Sequence, residues 1–180
     1  VQTDLASHLL SMFLGAAQRP QVVYEQLQQL SKQIAAREPK AFDSLRIDGV
    51  LALADQRYPE AIELLRQALA KSPDHEETTT ALIEALFLDK KPKEAQDLAN
   101  GFLAKHPKAT GIYARLYRIY VNDGQLAEAF RVLEREAQQF PNSSACVVRM
   151  AKHHISWDKD EAKAMELLKR VMNDPKQFPE

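Results

Sequence analysis

Histidine and acidic side chains stand at two places in the sequence where metal binding or acid–base catalysis would require them. His75 and Glu76 begin the pattern of a zinc-protease helix, but Thr79 occupies the position of the second histidine. His153 and His154 are adjacent, and neighbouring side chains on a helix point about 100° apart, which does not suit shared ligation of one ion. We therefore expect no zinc site on one helix face at either place.

A second acidic pattern begins like a calcium-binding loop. Asp158 and Asp160 have the right spacing, yet Lys163 stands where such a loop needs a glycine and Lys169 where it needs a bidentate glutamate. Lysines at these positions would repel a cation. The sequence therefore predicts no calcium site, and we expect no bound metal.

Cysteine and glycine usage also argue against catalysis. Cys146 is the only cysteine, and it follows Ala145 on a predicted helix, where a buried small side chain is expected rather than a nucleophile. The five glycines never form a phosphate-binding loop. No acid, base and nucleophile converge, so we expect neither an active site nor a cofactor. Without a disulfide, both the cytoplasm and the periplasm remain open as the compartment.

The elements that position these residues follow from a proline ladder. Proline has no N–H and cannot continue a helix, so one proline per interval after an apolar stretch reads as a regular helix stop. The ladder prolines are 34 residues apart, at Pro39, Pro73, Pro107, Pro141 and Pro175. A fixed period of this size indicates a repeat array. The predicted repeats span residues 8–41, 42–75, 76–109, 110–143 and 144–177.

Each interval reads as two amphipathic helices joined by a short turn. In residues 42–75, Gly49 lies on one face of the first helix, and the second helix has apolar residues at the spacing of one helical face. We expect Gly49 to meet Ala61 where the two helices approach closely. The apolar residues of the second helix are Ala61, Leu64, Leu65, Ala68 and Leu69.

The sequence of the repeats resembles the tetratricopeptide repeat family, strongly in the middle three repeats. One match is Leu45, Gly49, Tyr58, Glu60, Ala61, Leu65, Ala68 and Pro73; another is Leu116, Tyr120, Gly124, Glu128, Ala129, Leu133 and Pro141. The resemblance implies an all-α, right-handed α-solenoid of about five helix–turn–helix repeats forming one domain over residues 1–180. The last repeat fits best with one extra residue near Trp157 and one fewer before Pro175.

Aromatic residues on the first helices have two readings. Tyr113, Tyr117 and Tyr120 form an i, i+4, i+7 stripe that could suggest a ligand cage, but core packing is the better interpretation. Trp157 could be an exposed anchor or could pack over the last helix pair.

The ends of the chain suggest that more protein lies beyond them. The sequence begins at Val1 and stops where a sixth repeat would begin, so we expect a piece of a longer chain. Solenoid ends need a polar cap. The apolar face around Leu168, Val171 and Met172 lacks one, which predicts self-association through this end. No apolar run approaches the roughly 20 residues of a membrane span.

Basic residues recur at the repeat period in the C-terminal half. In the tetratricopeptide repeat family the first helices line a concave groove, so these residues are expected on its inner wall. They are Arg115 and Arg118 in one repeat and Arg149 and Lys152 in the next. A solvated face of mixed charge is one interpretation, and a groove that binds an acidic peptide is the other.

The function indicated is therefore a scaffold that binds a protein or peptide in the groove, with no catalysis of its own. The alternative is a structural or regulatory segment of a multidomain enzyme or of a transport or secretion assembly. Nucleic-acid binding is not expected, because the net charge is −1 and the run of basic residues is short.

Overall fold

The structure, a computed structural model, describes residues 2–15, 20–141 and 143–172. Within these ranges the chain is all-α, with ten α-helices, one π-helical turn and no strand. The helices are α1 (Gln2–Gly15), α2 (Gln21–Arg37), α3 (Phe42–Ala54), α4 (Tyr58–Lys71), α5 (Glu76–Leu88), α6 (Pro92–Lys105), α7 (Thr110–Asn122), α8 (Leu126–Gln139), α9 (Ser144–His153) and α10 (Glu161–Met172), with the π-helical turn at His154–Asp158. The predicted fold class is confirmed.

The chain divides into two compact units, unit 1 up to Leu98 and unit 2 from Ala99. In unit 1, α1 packs on α2 and α3, α3 packs on α4, and α4 packs on α5. In unit 2, α7 packs on α8, α8 on α9, and α9 on α10. Within each unit these helices pack on their neighbours in sequence, as in an array of helix pairs. A single domain over residues 1–180 stays a prediction.

The 34-residue period sets where the first helix of each later pair begins. These helices start at Phe42, Glu76, Thr110 and Ser144, the first residues of four predicted repeats. The ladder prolines from Pro39 to Pro141 each stand two residues after the last residue of a helix. Pro175 lies outside the described residues. The helix-stop interpretation is confirmed for the four prolines that the structure describes.

The first pair departs from the pattern. Helix α1 begins at Gln2 rather than near His8, and α2 has 17 residues where α4 has 14. Pro20, outside the proline ladder, is the N-cap of α2. It starts that helix earlier than a repeat-type turn would, because proline fixes its own φ near the helical value but cannot sit in a helix interior.

Three first helices end in the same hydrogen-bonded turn. Gln56, Lys90 and Gly124 adopt left-handed backbone with φ of 63°, 62° and 73°. In the first of these turns the Arg57 N–H donates to the Ala52 carbonyl at 2.9 Å, and the other two repeat that bond. This is the Schellman motif, which satisfies helix-end carbonyls. Glycine adopts this conformation without strain, so only the third turn has the residue that the backbone favours.

The last pair contains the expected extra residue. The left-handed position falls at Lys159 (φ 57°) and α10 begins at Glu161, each 35 residues after its counterpart in the preceding pair. A π-helical turn has one more residue per hydrogen-bonded ring than an α-helix, so it absorbs a single insertion. The prediction of one extra residue near Trp157 is confirmed, and the π-helical turn is where it is accommodated.

Gly49 lies at a close helix crossing in unit 1. A Cβ atom at this position would be 2.8 Å from Leu65 Cγ and 2.9 Å from Leu65 Cδ2. Leu65 is fully buried on α4. The tight contact is therefore made with Leu65, one turn beyond the predicted partner Ala61, which is itself buried.

Candidate functional site

The predicted basic residues lie on two helices of unit 2. Arg115 and Arg118 stand three residues apart on α7, both exposed, and Lys152 is exposed on α9. Residues at i and i+3 share a helix face, so each helix presents its pair on one side. Arg149 is half-buried. These four residues form what we call the basic surface, and its role in binding stays a prediction.

Arg149 is engaged inside unit 2. Its Nη2 atom donates to Glu136 Oε1 of α8, and the Glu136 side chain is only 3% exposed. Glu136 Oε2 and Arg149 Nε have no protein partner in the described chain. A buried carboxylate is costly unless paired, so Arg149 stabilises α9 against α8 as well as contributing to the basic surface.

Glu136 was missed by the sequence reasoning, although a signal was present. It stands at i+4 from Val132 and i+3 from Leu133, both buried, on the apolar face of α8. An acidic residue on such a face predicts a buried partner of opposite charge.

Two apolar side chains are exposed next to the basic residues of α9. Val148 and Ile155 are 49% and 47% exposed, and Lys152 lies between them. Val148 and Lys152 lie on α9, four residues apart on one helix face, and Ile155 lies in the π-helical turn that follows. Along this segment Lys152 is therefore flanked by two exposed apolar groups.

The three tyrosines of the stripe on α7 differ in burial. Tyr113 is 2% exposed and its hydroxyl donates to the Pro107 carbonyl at 2.9 Å. Tyr117 and Tyr120 are half-buried, and the Tyr120 hydroxyl accepts from Asn100 Nδ2 at 3.1 Å. Core packing is confirmed for Tyr113, whereas the other two hydroxyls take part in side-chain networks.

His153 and His154 converge on one carboxylate at the π-helical turn. His154 Nδ1 is 2.7 Å from Asp158 Oδ2, and His153 Nε2 is 3.9 Å from Asp158 Oδ1. The ring centroids of the two histidines are 6.4 Å apart, and each ring packs on Phe130 of α8, at 5.2 and 4.9 Å. Both histidines are buried. Sequence reasoning missed this cluster, which we call the histidine pair, because α-helical geometry does not bring Asp158 to both rings.

Tyr117 and burial set the environment of His153. The Tyr117 hydroxyl is 3.2 Å from His153 Nδ1, within hydrogen-bonding distance. Burial lowers the pKa of His153 below its ordinary value of 6.5, and the charge of Asp158 partly opposes this.

The other candidates for chemistry have structural roles. His75 Nδ1 accepts the Thr78 backbone N–H at 3.2 Å and so caps α5. Cys146 is buried, and burial raises the pKa of its thiol to about 11, so it is not a ready nucleophile. Among residues 2–15, 20–141 and 143–172, no three histidine, cysteine or acidic side chains are placed to bind a metal ion. In the same ranges no helix has the length and apolarity to cross a bilayer.

A cleft of about 330 Å³ lies between α2, α3 and α4 of unit 1. Its charged walls include Lys32, Asp48 and Arg57. Arg57 pairs with Asp55 at 3.0 Å, and Asp55 also accepts the Tyr24 hydroxyl at 2.7 Å. These contacts join α2 to the end of α3, so they account for the polar groups at this edge of the cleft.

The fold and these sites define an all-α repeat protein whose second unit exposes a charged face. Residues 52–118 match the family model described as tetratricopeptide repeat. This segment resembles the tetratricopeptide repeat family, and the fold of the chain is that of solved α-solenoids. No curated protein matches the sequence.

Three solved structures illustrate the similarity of fold. MamA from Desulfovibrio magneticus RS-1 is 17% identical with a TM-score of 0.68, and the match covers 99% of this chain and 98% of that one. PilF of Pseudomonas aeruginosa is 16% identical, with a TM-score of 0.69 and coverage of 94% and 78%. YrrB, described as a tetratricopeptide repeat protein with an unusual peptide-binding site, is 16% identical, with a TM-score of 0.60 and coverage of 99% and 86%.

Proposed function

We propose that this protein is a non-catalytic scaffold whose second unit binds an acidic peptide or protein segment on the basic surface. The observation that carries the proposal is the exposed segment formed by α9 and the π-helical turn, with Lys152 between Val148 and Ile155. Exposed apolar groups next to positive charge favour a partner that has apolar side chains flanked by carboxylates. The peptide-binding site of YrrB supports the same class of function for this fold.

The spacing of the apolar pair sets a geometric requirement on the partner. Val148 and Ile155 are seven residues apart, which is about 10 Å along a helix at 1.5 Å per residue. An extended peptide spans that distance in about three residues. Two apolar side chains separated by two residues, with acidic residues beside them, would fit this face.

Arg115 and Lys152 are the cations that we expect to contribute most. Neither forms an ion pair with another described residue, whereas Arg149 already neutralises Glu136. A partner carboxylate that approaches Arg149 competes with the buried Glu136 carboxylate, so the gain in binding free energy at Arg149 is smaller. Charge reversal at Arg115 and Lys152 is therefore the most informative change.

The test is selection of a random peptide phage library on the chain, followed by anisotropy titration of the enriched peptides. We expect enrichment in Asp, Glu and large apolar residues. The variant Arg115→Glu/Lys152→Glu should bind them more than about tenfold more weakly, since like charges in contact cost over the roughly 1.4 kcal/mol that equals a factor of ten. Raising salt from about 50 to 300 mM should also weaken binding.

The matched control reverses the same number of charges elsewhere in unit 2. Lys108 and Lys169 are exposed, and Lys108→Glu/Lys169→Glu should leave the affinity within about twofold because the charges lie outside the basic surface. Peptides without acidic enrichment, or equal affinity for both double variants, would refute the proposed surface.

Exposed methionines favour a second interaction, between copies of this chain. Met165 and Met172 are 54% and 71% exposed on α10, and they stand seven residues apart on one face. We propose that this face self-associates, since flexible methionine side chains adapt to a partner surface. Sedimentation velocity should detect dimers that Met165→Glu/Met172→Glu abolishes; a monomer at about 100 μM, where the weakest specific contacts are populated, would exclude it.

A further inference from the structure

We propose that the histidine pair with Asp158 is a pH-sensitive latch that holds the π-helical turn closed at neutral pH. On acidification His153 becomes charged beside His154, the turn opens, and the adjoining face of α9 loses its binding geometry. The inference deepens the proposed function, because it concerns regulation of that same surface.

The closed state depends on both histidines being compensated by a single carboxylate. Asp158 is 2.7 Å from His154 but 3.9 Å from His153, too far for a hydrogen bond. If both imidazole rings are positively charged, two charged rings whose centroids are 6.4 Å apart are compensated by a single carboxylate. Burial leaves little water to screen them, so the doubly charged state favours an open turn.

Protonation of His153 also changes its hydrogen bond to α7. A neutral ring can accept the Tyr117 proton at Nδ1, 3.2 Å away; in the charged ring both nitrogens are donors, so the tyrosine oxygen must accept instead. The contact between α7 and the end of α9 therefore has to rearrange when His153 becomes charged.

Among the residues that the structure describes, no further acid lies at hydrogen-bonding distance from the two rings. From α8 the group that faces both rings is the uncharged Phe130. From α7 the group that contacts His153 is Tyr117, whose pKa burial raises and the charge of Arg149 partly lowers. Just before α10 the nearby acid is Asp160, whose pKa a backbone hydrogen bond lowers and the charge of His154 lowers further.

The latch is placed to act on the binding face. Lys152 directly precedes the pair and Ile155 directly follows it, within the π-helical turn. Opening the turn moves Ile155 relative to Val148 and Lys152, which both lie on α9, so the two apolar groups and the cation no longer present one face. Burial lowers the pKa of His153 in the closed turn, so the open turn binds that proton first and closure is lost as the pH falls below about 6.5.

Trp157 provides a readout that needs no partner. It is the only tryptophan of the chain and belongs to the π-helical turn, so acrylamide quenching of its fluorescence reports opening. In the whole chain we expect quenching to rise between pH 7.5 and 5 with a midpoint below about 6.5. The variant His153→Gln/His154→Gln should show no such transition, whereas His106→Gln, in the turn before α7, should titrate like the wild type.

A second variant keeps the proposal testable if the double histidine variant fails to fold. Asp158 is 44% exposed, so Asp158→Asn should fold, as far-ultraviolet circular dichroism can check. Loss of its charge disfavours the protonated histidines, but it also removes the contact that holds the closed turn. We therefore expect raised quenching already at pH 7.5. Quenching of wild type and Asp158→Asn that is equal and independent of pH would overturn the latch.

Binding of the library-selected acidic peptide tests the coupling. We expect affinity to fall between pH 7 and 5.5, by up to about tenfold per pH unit for each proton taken up, and to stay constant in His153→Gln/His154→Gln. Glutamate side chains of the peptide remain largely charged in this range. A tryptophan transition with pH-independent binding would overturn the coupling. A transition with no acidic peptide selected at any pH would refute the proposed function and leave the latch standing.

Discussion

The close contact between Gly49 and Leu65 can be tested by adding a single methyl group. Gly49→Ala places a Cβ atom 2.8 Å from Leu65 Cγ and 2.9 Å from Cδ2, distances at which one side chain must shift. Leu65 is fully buried, so it has little room to move. Overpacking of this kind costs about 1–3 kcal/mol. Alanine in a helix interior gains about 1 kcal/mol over glycine, so the net loss should be about 0–2 kcal/mol.

The chain contains a matched control for the difference in helix propensity between alanine and glycine. Gly101 lies within α6, is exposed, and a Cβ atom there would have no neighbour within 4 Å. Gly101→Ala should therefore stabilise the protein by about 1 kcal/mol. The difference between the two substitutions isolates the packing cost, which we expect to be about 1–3 kcal/mol. Gly49→Leu should lower the free energy of unfolding more than Gly49→Ala does, because leucine adds three further carbon atoms at the same crossing.

The assay is urea denaturation followed by circular dichroism, compared at equal m-values so that the same transition is measured. In a Leu65→Ala background the clash is absent, and Gly49→Ala should then stabilise like Gly101→Ala. If the two glycine substitutions changed the free energy of unfolding by the same amount, within about 0.5 kcal/mol, the crossing would not be tight and the reasoning would be refuted.

Three further predictions concern a turn, a cap and the thiol. Lys90→Gly should raise the free energy of unfolding by about 1 kcal/mol, because Lys90 holds φ at 62° and glycine does so without strain; an unchanged urea midpoint would contradict this. His75→Ala should cost about 1 kcal/mol through the lost cap of α5, and His75→Asn should largely restore it. Burial lowers the pKa of His75 below 6.5, so the unfolded chain binds that proton first and the wild type should lose stability as the pH falls below 6.5; an equal acid dependence in His75→Asn would exclude His75 as the cause. Cys146 should react with a thiol reagent at pH 7.5 only after urea unfolds the protein, and rapid labelling of the native protein would disprove its burial.

The repeat architecture could be predicted because its signals are local. A proline that stops a helix and a breaker that forms a turn act on neighbouring residues only, so Pro73 and Gly124 predict boundaries without knowledge of the packing. The first pair was harder. Its start depends on Pro20 and on packing of α1 against α3, and neither follows the period.

The candidate site could be predicted only in outline. The basic residues recur at the repeat spacing, so Arg115 and Arg149 can be assigned to equivalent helices from sequence. That Arg149 pairs with Glu136 depends on contact between α8 and α9, which the sequence does not state directly. The histidine pair was missed for a different reason: a helix wheel assumes 3.6 residues per turn, and Asp158 reaches both rings from a π-helical turn.

The π-helical turn also determines which parts of this chain are interchangeable. Units built on a 34-residue frame can be duplicated, deleted or exchanged, because each turn returns the next helix to the same phase. The last repeat is one residue longer than the 34-residue period, and the extra residue lies in the segment that brings Asp158 to the histidines. Replacing this repeat by a copy of its neighbour would preserve the stacking of helices and remove the acid-sensitive histidine pair. Recombination can therefore lengthen or shorten the array freely on its N-terminal side, but the C-terminal module can only be kept or lost as a whole.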